Sequence, residues 1–131
     1  MIGLDTNILM RYFAQDDPVQ SPKATSCIES LTQDSPGLVS TTVLVEMFWV
    51  LRSCYGMPKD EILLLLEGML RTKSLIVQQS ATVWKSVLAF RRSNADFEDC
   101  LIQASCEDSG CKYTLTFDQS AVKTAGMRLL R

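Results

Sequence analysis

The chain has 131 residues, a length typical of one domain, and its apolar and charged fractions of 47% and 21% are ordinary for a globular protein. The formal net charge of −2 argues against a protein that holds nucleic acid mainly by bulk electrostatic attraction. The sequence contains no histidine, which excludes Ser-His-Asp and Cys-His catalysis and argues against a His-ligated zinc enzyme. Hydrolytic chemistry in this chain must therefore rest on carboxylates and a metal ion.

The sequence predicts neither a membrane span nor a secretory signal. The longest apolar run, residues 43–51, is too short to cross a bilayer and is interrupted by Glu46. No positively charged segment precedes an apolar stretch at the N-terminus. We therefore expect a cytoplasmic protein with no membrane association.

Five cysteines are present, an odd number without a CxxC pair. Cys27, Cys54 and Cys100 fall within apolar helical patterns, where a free cysteine behaves as a small hydrophobic residue. We interpret the five as reduced thiols, as expected in the cytoplasm. A disulfide between Cys106 and Cys111 is the alternative.

Strands alternate with helices along the chain. In chain order, the periodicity and turn residues predict buried strand 2–5, helix 6–13, helix 18–32, strand 38–40, helix 43–55, helix 59–72, strand 75–77, helix 81–92, helix 97–109, strand 113–116, helix 118–125 and edge strand 127–130. Thr6 or Asn7 can cap the first helix. Pro18 suits the start of the second helix, and Gly110 the end of the sixth. This alternation predicts an α/β fold with a central parallel sheet of four to five strands flanked by helices, in a single domain over residues 1–131.

Four acidic residues lie next to or within apolar segments. They are Asp5, Glu46, Asp99 and Asp118. An ionised carboxylate in an apolar setting is energetically costly unless it is paired or coordinates a cation. Asp5 and Asp118 follow predicted strands, whereas Glu46 and Asp99 lie in the early turns of predicted helices. Because ligands of open α/β sheets bind beyond the carboxyl ends of the strands, we expect the four carboxylates to converge there in one pocket.

Each acid also has a simpler structural interpretation. Asp5 and Asp118 can be N-caps of the helices that follow them, and Asp99 can be a charge that interacts favourably with a helix dipole. Asp96 is expected to cap the helix that contains Asp99. It is also a candidate to hold a metal ligand in place without binding the metal directly. Glu46 is harder to explain in this way, since its sequence neighbours are apolar.

The ligand type indicates the chemistry. Carboxylate oxygens suit Mg²⁺ or Mn²⁺ rather than softer metals, and such ions can bind a phosphodiester and activate water to attack it. Arg11, Arg91 and Arg92 lie near the acidic segments in sequence, so they are candidates for contacts with phosphate. The alternative is that these arginines are ordinary solvated helix charges.

The acidic segments resemble the motifs of a known family, the PIN-domain nucleases, and within it the VapC-type toxins of toxin–antitoxin pairs. Residues 1–13 resemble the opening of that family and residues 43–51 its second motif. Residues 96–102 and 116–118 resemble the third and fourth motifs. The likeness extends over nearly the whole chain.

The resemblance implies a PIN-like fold and a metal-dependent endoribonuclease that acts on RNA and is restrained by a small antitoxin protein. It implies that the metal-binding acids are Asp5, Glu46, Asp99 and Asp118. Polar positions of the family beside these acids are matched by Thr6, Asn7 and Thr116.

Two other classes of protein remain open. A receiver-like phospho-acceptor domain also gathers aspartates around Mg²⁺, but it needs an acidic pair after the first strand and a lysine after a late strand. Here Asp5 is followed by Thr6 and Asn7, and Asp118 stands near the position of that lysine. The second alternative is a binding module that has this fold without catalysis.

Two apolar helical segments, residues 43–55 and 62–70, carry more large side chains than a two-layer packing needs. Residues 62–66 are apolar on every side of the predicted helix. We therefore expect a homodimer and an antitoxin segment that binds this surface. The alternative is that the run belongs to the core.

Overall fold

The computed structural model describes all residues of the chain, Met1 to Arg131. In chain order the elements are β1 (Ile2–Gly3), α1 (Thr6–Ala14), α2 (Gln20–Ser30), β2 (Gly37–Val39), α3 (Thr41–Ser53), α4 (Lys59–Arg71), β3 (Leu75–Val77), α5 (Ser80–Arg92), α6 (Phe97–Asp108), β4 (Leu115–Thr116), α7 (Gln119–Ala125) and β5 (Arg128–Leu129). The chain divides into two compact units, Met1–Gln78 and Gln79–Arg131, called the N-terminal and C-terminal units below. None of the helices is both long enough and apolar enough to span a membrane.

The predicted α/β fold with parallel strands is confirmed. Every predicted helix and strand is present, and the ends differ from the prediction by a few residues. The five strands, however, pair as a sheet of three and a sheet of two rather than as one central sheet. Local periodicity identifies strands, whereas contacts distant in sequence decide which strands pair. The single domain over residues 1–131 stays a prediction.

The N-terminal unit is built on a three-stranded parallel sheet in the order β1-β2-β3. Gly37 lies in the central strand, where a Cβ atom would approach Leu4 Cδ1 to 2.7 Å and Leu31 Cδ1 to 2.9 Å. Glycine therefore allows these two leucines to close over the strand. The side chains buried most completely in this unit are Leu9, Val39, Leu44, Met47, Phe48, Leu51, Ile62 and Leu66.

The prediction that the first strand is buried is wrong. Ile2 is 50% exposed, and of the predicted residues 2–5 only Leu4 is buried. β1 lies at the edge of its three-stranded sheet and pairs with β2. The pairing continues to Leu4, whose N–H donates to the carbonyl of Leu38 at 3.0 Å. The apolar character of residues 1–4 indicated burial. A short strand at the edge of a sheet, however, has no neighbour on one side and is open to solvent there.

The C-terminal unit contains a helix pair, α5 and α6, and a two-stranded parallel sheet of β4 and β5. The rings of Phe90 and Phe97 pack edge to face between the two helices, with centroids 5.8 Å apart. Helix α7 connects the two strands and contacts both of them. Gly110 ends α6 as predicted, with a φ of +89° that a residue with a Cβ rarely adopts.

The five cysteines are free thiols, so no disulfide joins Cys106 to Cys111. Cys100 is buried as predicted. Cys27 is half-buried and Cys54 is exposed, because Cys54 follows the last residue of α3 rather than lying on its packed face. The expectation that all three belong to the core is therefore wrong for Cys54.

Candidate functional site

Asp5 connects β1 to α1 and is the N-cap of that helix. Its backbone is extended, and its Oδ1 accepts a hydrogen bond of 2.8 Å from the N–H of Thr6. The helix-cap interpretation is therefore confirmed for this residue. A carboxylate has two oxygens and about four acceptor positions, so a single capping bond leaves Asp5 capacity to hold a cation. Asp5 is exposed, which keeps that capacity accessible.

The two residues after Asp5 present polar groups that the protein itself leaves unpaired. Thr6 is only 6% exposed, and its Oγ1 has no hydrogen-bond partner. A buried hydroxyl without a partner is rare and indicates a place for water or an ion. Asn7 is exposed at the next position of α1. The start of α1 thus offers oxygen ligands from neighbouring residues.

Glu46 lies on the exposed face of α3, not in an apolar environment. The exposed positions of this helix include Thr42, Glu46, Trp49 and Ser53, whose spacing of three to four residues defines one face. The opposite face supplies the core. The expectation of a costly apolar setting is therefore wrong for Glu46, because the apolar run around it divides between two faces. Its carboxylate forms no ion pair or hydrogen bond within the protein.

Asp99 and Asp96 lie at the start of α6. Asp99 is half-buried in the first turn, beside Glu98. Asp96 occupies the N-cap position, but its side chain makes no capping hydrogen bond. The expected position at the helix start is therefore confirmed, but the capping hydrogen bond is absent. The free N–H groups and dipole of a helix start favour negative charge in this turn.

Asp118 follows β4 and is the N-cap of α7. Its Oδ1 accepts a hydrogen bond of 2.8 Å from the N–H of Ser120, which confirms the cap interpretation. The N–H of Asp118 donates to Thr116 Oγ1 at 3.0 Å. These two bonds hold Asp118 in one position relative to the end of the strand. As for Asp5, the capping bond leaves the carboxylate with unused acceptor positions.

The four acids are divided equally between the two units. Asp5 and Glu46 belong to the N-terminal unit, Asp5 just before α1 and Glu46 on α3, and these two helices are in contact. Asp99 and Asp118 belong to the C-terminal unit, on α6 and at the start of α7, which also contact each other. Neither unit by itself contains a group of three metal-ligating side chains. The convergence of all four carboxylates stays a prediction.

The three candidate arginines differ in their surroundings. Arg11 is held on α1 by Gln20 Oε1, 2.9 Å from its Nε, and by Asp16 Oδ1, 3.4 Å from its Nη1. Asp16 also accepts a hydrogen bond of 2.8 Å from Tyr55, and this bond raises the pKa of the tyrosine. Arg91 and Arg92 are exposed in the last turn of α5, where positive charge is favourable to the helix dipole. Phosphate contacts by these arginines stay a prediction.

Two further residues near these acids have features that the sequence pattern did not indicate. Thr41 follows β2, and its buried Oγ1 has no hydrogen-bond partner, as in Thr6. The signal available in the sequence was its position in the run of hydroxyl residues 40–42 that follows the strand. Phe117, which precedes Asp118, is 79% exposed. An aromatic residue after a short strand is ordinarily expected to be buried, so its exposure was not predictable from the pattern.

Comparison with protein families decides the classification. The model of the PIN domain family matches residues 2–127. The chain belongs to the PIN domain family. Members of this family are generally metal-dependent nucleases, so the nuclease class of the sequence-based prediction is supported. A comparison with proteins of curated function finds no match.

The residues of this PIN domain fit a hard divalent cation in their chemistry. The four acids supply only oxygen ligands, which Mg²⁺ and Mn²⁺ prefer. Asp5 and Asp118 each use a single capping bond, and Glu46 has no partner within the protein. The unpaired hydroxyl of Thr6 is a further oxygen ligand or water contact beside Asp5. The chain has no histidine to ligate a softer metal, and the thiol next to these acids, Cys100, is buried.

Proposed function

We propose that this PIN domain is a Mg²⁺- or Mn²⁺-dependent endoribonuclease that acts in the cytoplasm as the toxin of a toxin–antitoxin pair. The observation that carries the proposal is the family match over residues 2–127, within which all four acidic positions are present. The two aspartates that cap helices retain unused acceptor positions, and the glutamate is unpaired. The carboxylates of Asp5, Glu46 and Asp118 are therefore available for ligands.

The acids have different roles in this proposal. Asp5 and Asp99 are the primary metal ligands, and Glu46 and Asp118 complete the ligand set. A bound ion would polarise the phosphodiester, lower the pKa of a water molecule and stabilise charge on the attacking and leaving oxygens. Thr116 positions Asp118 through the hydrogen bond to its N–H. Other residues in a supporting role are Thr6, Asn7 and Asp96.

Phosphate groups of the RNA are the proposed ligands of Arg11, Arg91 and Arg92. Arg11 already has its guanidinium oriented by Gln20 and Asp16, and two of its five N–H donors are used in doing so. Arg91 and Arg92 lie on the same last turn of α5. Their charges would offset the repulsion between the acidic set and a polyanionic substrate.

The receiver-like alternative predicts phosphorylation of an aspartate, and the silent-module alternative predicts binding without cleavage. Family membership favours hydrolysis over phosphorylation. Intact acidic positions favour a catalyst over a silent module. An assay of RNA cleavage separates the three interpretations.

The test measures cleavage of single-stranded RNA with Mg²⁺ or Mn²⁺, with EDTA, and with three variants. Asp5→Asn and Asp99→Asn nearly preserve the side-chain shape but remove a charge, so cleavage should fall by orders of magnitude while the fold persists. Asp34→Asn is the matched control, because Asp34 is an exposed carboxylate without a partner in the structure. Its activity should equal that of the wild type. Full wild-type activity in EDTA would contradict the proposal.

The proposed antitoxin contact lies in the N-terminal unit. Ile62, Leu63 and Leu66 are buried, so the core interpretation applies to much of the apolar run in α4. Leu64, by contrast, is 73% exposed. It borders an open apolar groove of about 490 Å³, whose lining includes Leu9, Tyr12, Phe13, Ile28 and Met69. An apolar helix of a small antitoxin could lie in this groove and bury Leu64.

Expression in the host tests the toxin role. The wild type should arrest growth, and Asp5→Asn should not. If a small gene lies immediately upstream, its co-expression should relieve the arrest and yield a complex that co-purifies. Leu64→Glu should weaken this complex, whereas Val19→Glu, at another exposed apolar residue, should not. A harmless wild type with no co-purifying product would exclude the toxin role and leave the nuclease role intact.

A homodimer is the last part of the proposal. Trp49 and Tyr55 are exposed large side chains at α3 and just after it, which is the kind of surface that a second copy can bury. Light scattering coupled to size-exclusion chromatography should give the mass of two chains. A monomer at high protein concentration would contradict the expectation.

A further inference from the structure

One face of the two-stranded sheet in the C-terminal unit carries large side chains that are open to solvent. β4 and β5 are parallel, with Leu115 paired to Arg128 and Thr116 paired to Leu129. Paired residues of neighbouring strands point to the same face, and successive residues alternate between faces. Leu115 and Arg128 therefore share a face, and both are exposed. Thr116 and Leu129 share the other face and are half-buried.

The residues that flank the paired positions extend this exposed face. Tyr113 lies two positions before Leu115 and Leu130 two positions after Arg128, whereas Phe117 directly follows the last residue of β4 in a bend. All three are exposed. The guanidinium of Arg128 stacks over the ring of Tyr113, with Cζ 3.8 Å from the ring centroid, which confirms that these two side chains are on the same face. We call the set Tyr113, Leu115, Phe117, Arg128 and Leu130 the aromatic face.

Phe117 is the residue of the aromatic face whose exposure to solvent is least expected. At 79% it is the most exposed of the large hydrophobic side chains in the chain, and it makes no ring contact with another side chain. Exposing a phenylalanine to water is unfavourable, so an arrangement of this kind commonly marks a binding surface. Phe117 directly precedes Asp118, which is one of the four acids. Both residues lie at the end of β4.

The charge of the segment that forms the aromatic face favours an anionic occupant. Residues 111–131 contain four basic residues, Lys112, Lys123, Arg128 and Arg131, but a single acid, Asp118. The whole chain, in contrast, carries a net charge of −2. Aromatic rings interleaved with positive charge are the features by which proteins bind single-stranded nucleic acid, since bases stack on the rings and phosphates contact the cations.

We propose that the aromatic face binds the substrate RNA as a single strand, with a base stacked on Phe117 next to the phosphate that is cut. This inference rests on the proposed nuclease function and specifies how its substrate is held. Arg128 supplies a cation for the backbone, because stacking on Tyr113 leaves its N–H groups without hydrogen-bond partners in the protein. Stacking tolerates every base, so Phe117 selects unpaired RNA over duplex rather than one sequence.

Binding in EDTA, where cleavage is not expected, isolates this contact from catalysis. The probe is a fluorescein-labelled oligoadenylate of about 12 nucleotides, within the range of single-strand site sizes, and fluorescence anisotropy gives the Kd. Loss of one stacked base weakens binding by about 5- to 150-fold, which is the expected effect of Phe117→Ala. Phe117→Trp should retain the affinity of the wild type. Phe117→Leu keeps an apolar side chain but no ring, so it should behave like Phe117→Ala.

Two controls complete the design. An abasic oligonucleotide of equal length carries the same phosphates without bases, so its affinity should be unchanged by Phe117→Ala. Val19→Ala removes part of an exposed apolar side chain in the N-terminal unit and should leave the Kd for oligoadenylate unchanged.

The proposal is overturned if Phe117→Ala binds oligoadenylate as tightly as the wild type, or if Phe117→Leu restores full affinity, since a ring would then not be needed. It is also overturned if Phe117→Ala converts a dimer to a monomer in light scattering without changing the Kd, because the face would then be an interface between copies of the chain. A wild type that binds oligoadenylate through Phe117 but cleaves no RNA with Mg²⁺ or Mn²⁺ would refute the proposed function and support the aromatic face.

Discussion

Asp5 and Asp118 each combine a structural role with the proposed ligand role. Each accepts a hydrogen bond of 2.8 Å from the backbone at the start of the helix that follows it. The bond fixes the carboxylate at the end of a strand, and the unused acceptor positions remain for a cation. The same residue can therefore act both as a helix cap and as a metal ligand. Only measurements can separate the contributions of the two roles.

Asparagine and alanine at position 5 separate the cap from the ligand. Both substitutions remove the charge, so both should abolish metal-dependent cleavage. Asparagine caps helices about as well as aspartate, whereas alanine loses the hydrogen bond to Thr6. Asp5→Ala should therefore be less stable than Asp5→Asn by about 1 kcal/mol in urea unfolding. Equal stability of the two variants would show that the capping bond contributes nothing to folding.

At the scale of elements, the best-defined polar contact of the C-terminal unit joins α5 to α6. Lys85 Nζ lies 2.7 Å from Asp108 Oδ1 and 3.3 Å from Glu107 Oε1, and the Thr82 hydroxyl donates to Asp108 at 2.6 Å. The hydrogen bonds from Lys85 and Thr82 lower the pKa of Asp108, and the bond to Asp108 raises the pKa of Lys85. This contact supplements the buried packing of Phe90 on Phe97.

The contact should make the stability of the protein depend on pH in a defined direction. Because the pKa of Asp108 is lowered from 3.8 in the folded state, its ionised form stabilises the fold at higher pH, and this contribution is lost as the pH falls through the lowered value. The wild type should therefore melt slightly above Asp108→Asn at pH 7, and this gap should close in acid below about pH 3.8. Asp34→Asn is the control and should show no such gap. A gap that persists in acid would contradict the assignment.

At the scale of the whole molecule, the proposed ligand set draws two acids from each unit. Carboxylates brought to one ion repel one another when the ion is removed, so the metal-free protein should be less stable than the metal-bound protein.

Divalent ion should therefore raise the melting temperature of the wild type. An ion at 100 times its Kd stabilises a protein by about 2.7 kcal/mol, which for a chain of this size corresponds to a rise on the order of 10 °C. Asp5→Asn should show a smaller rise and should melt above the wild type in EDTA. A monovalent salt of equal ionic strength is the control. If Asp5→Asn melts clearly below the wild type in EDTA, Asp5 is chiefly a structural residue.

The sequence by itself was sufficient for the order of helices and strands, the α/β class and the PIN family. These properties rest on local signals, such as the turn at Gly110 and the apolar periods of the helices, and on motif residues next to one another in the chain. Only the tertiary structure decided that the strands form two sheets, that β1 is exposed at an edge, and that Glu46 faces solvent.

The aromatic face was likewise decided by tertiary structure alone. The alternation of residues 113 to 117 predicts a strand, but a strand pattern does not specify which face will be covered. Pairing with β5 and contact with α7 leave Leu115 and Arg128 on the open side, and Phe117 follows them at the end of β4, exposed. Burial and strand pairing depend on contacts between residues far apart in the chain. The sequence by itself therefore determined the helices and strands, and the tertiary structure determined which of their side chains reach solvent.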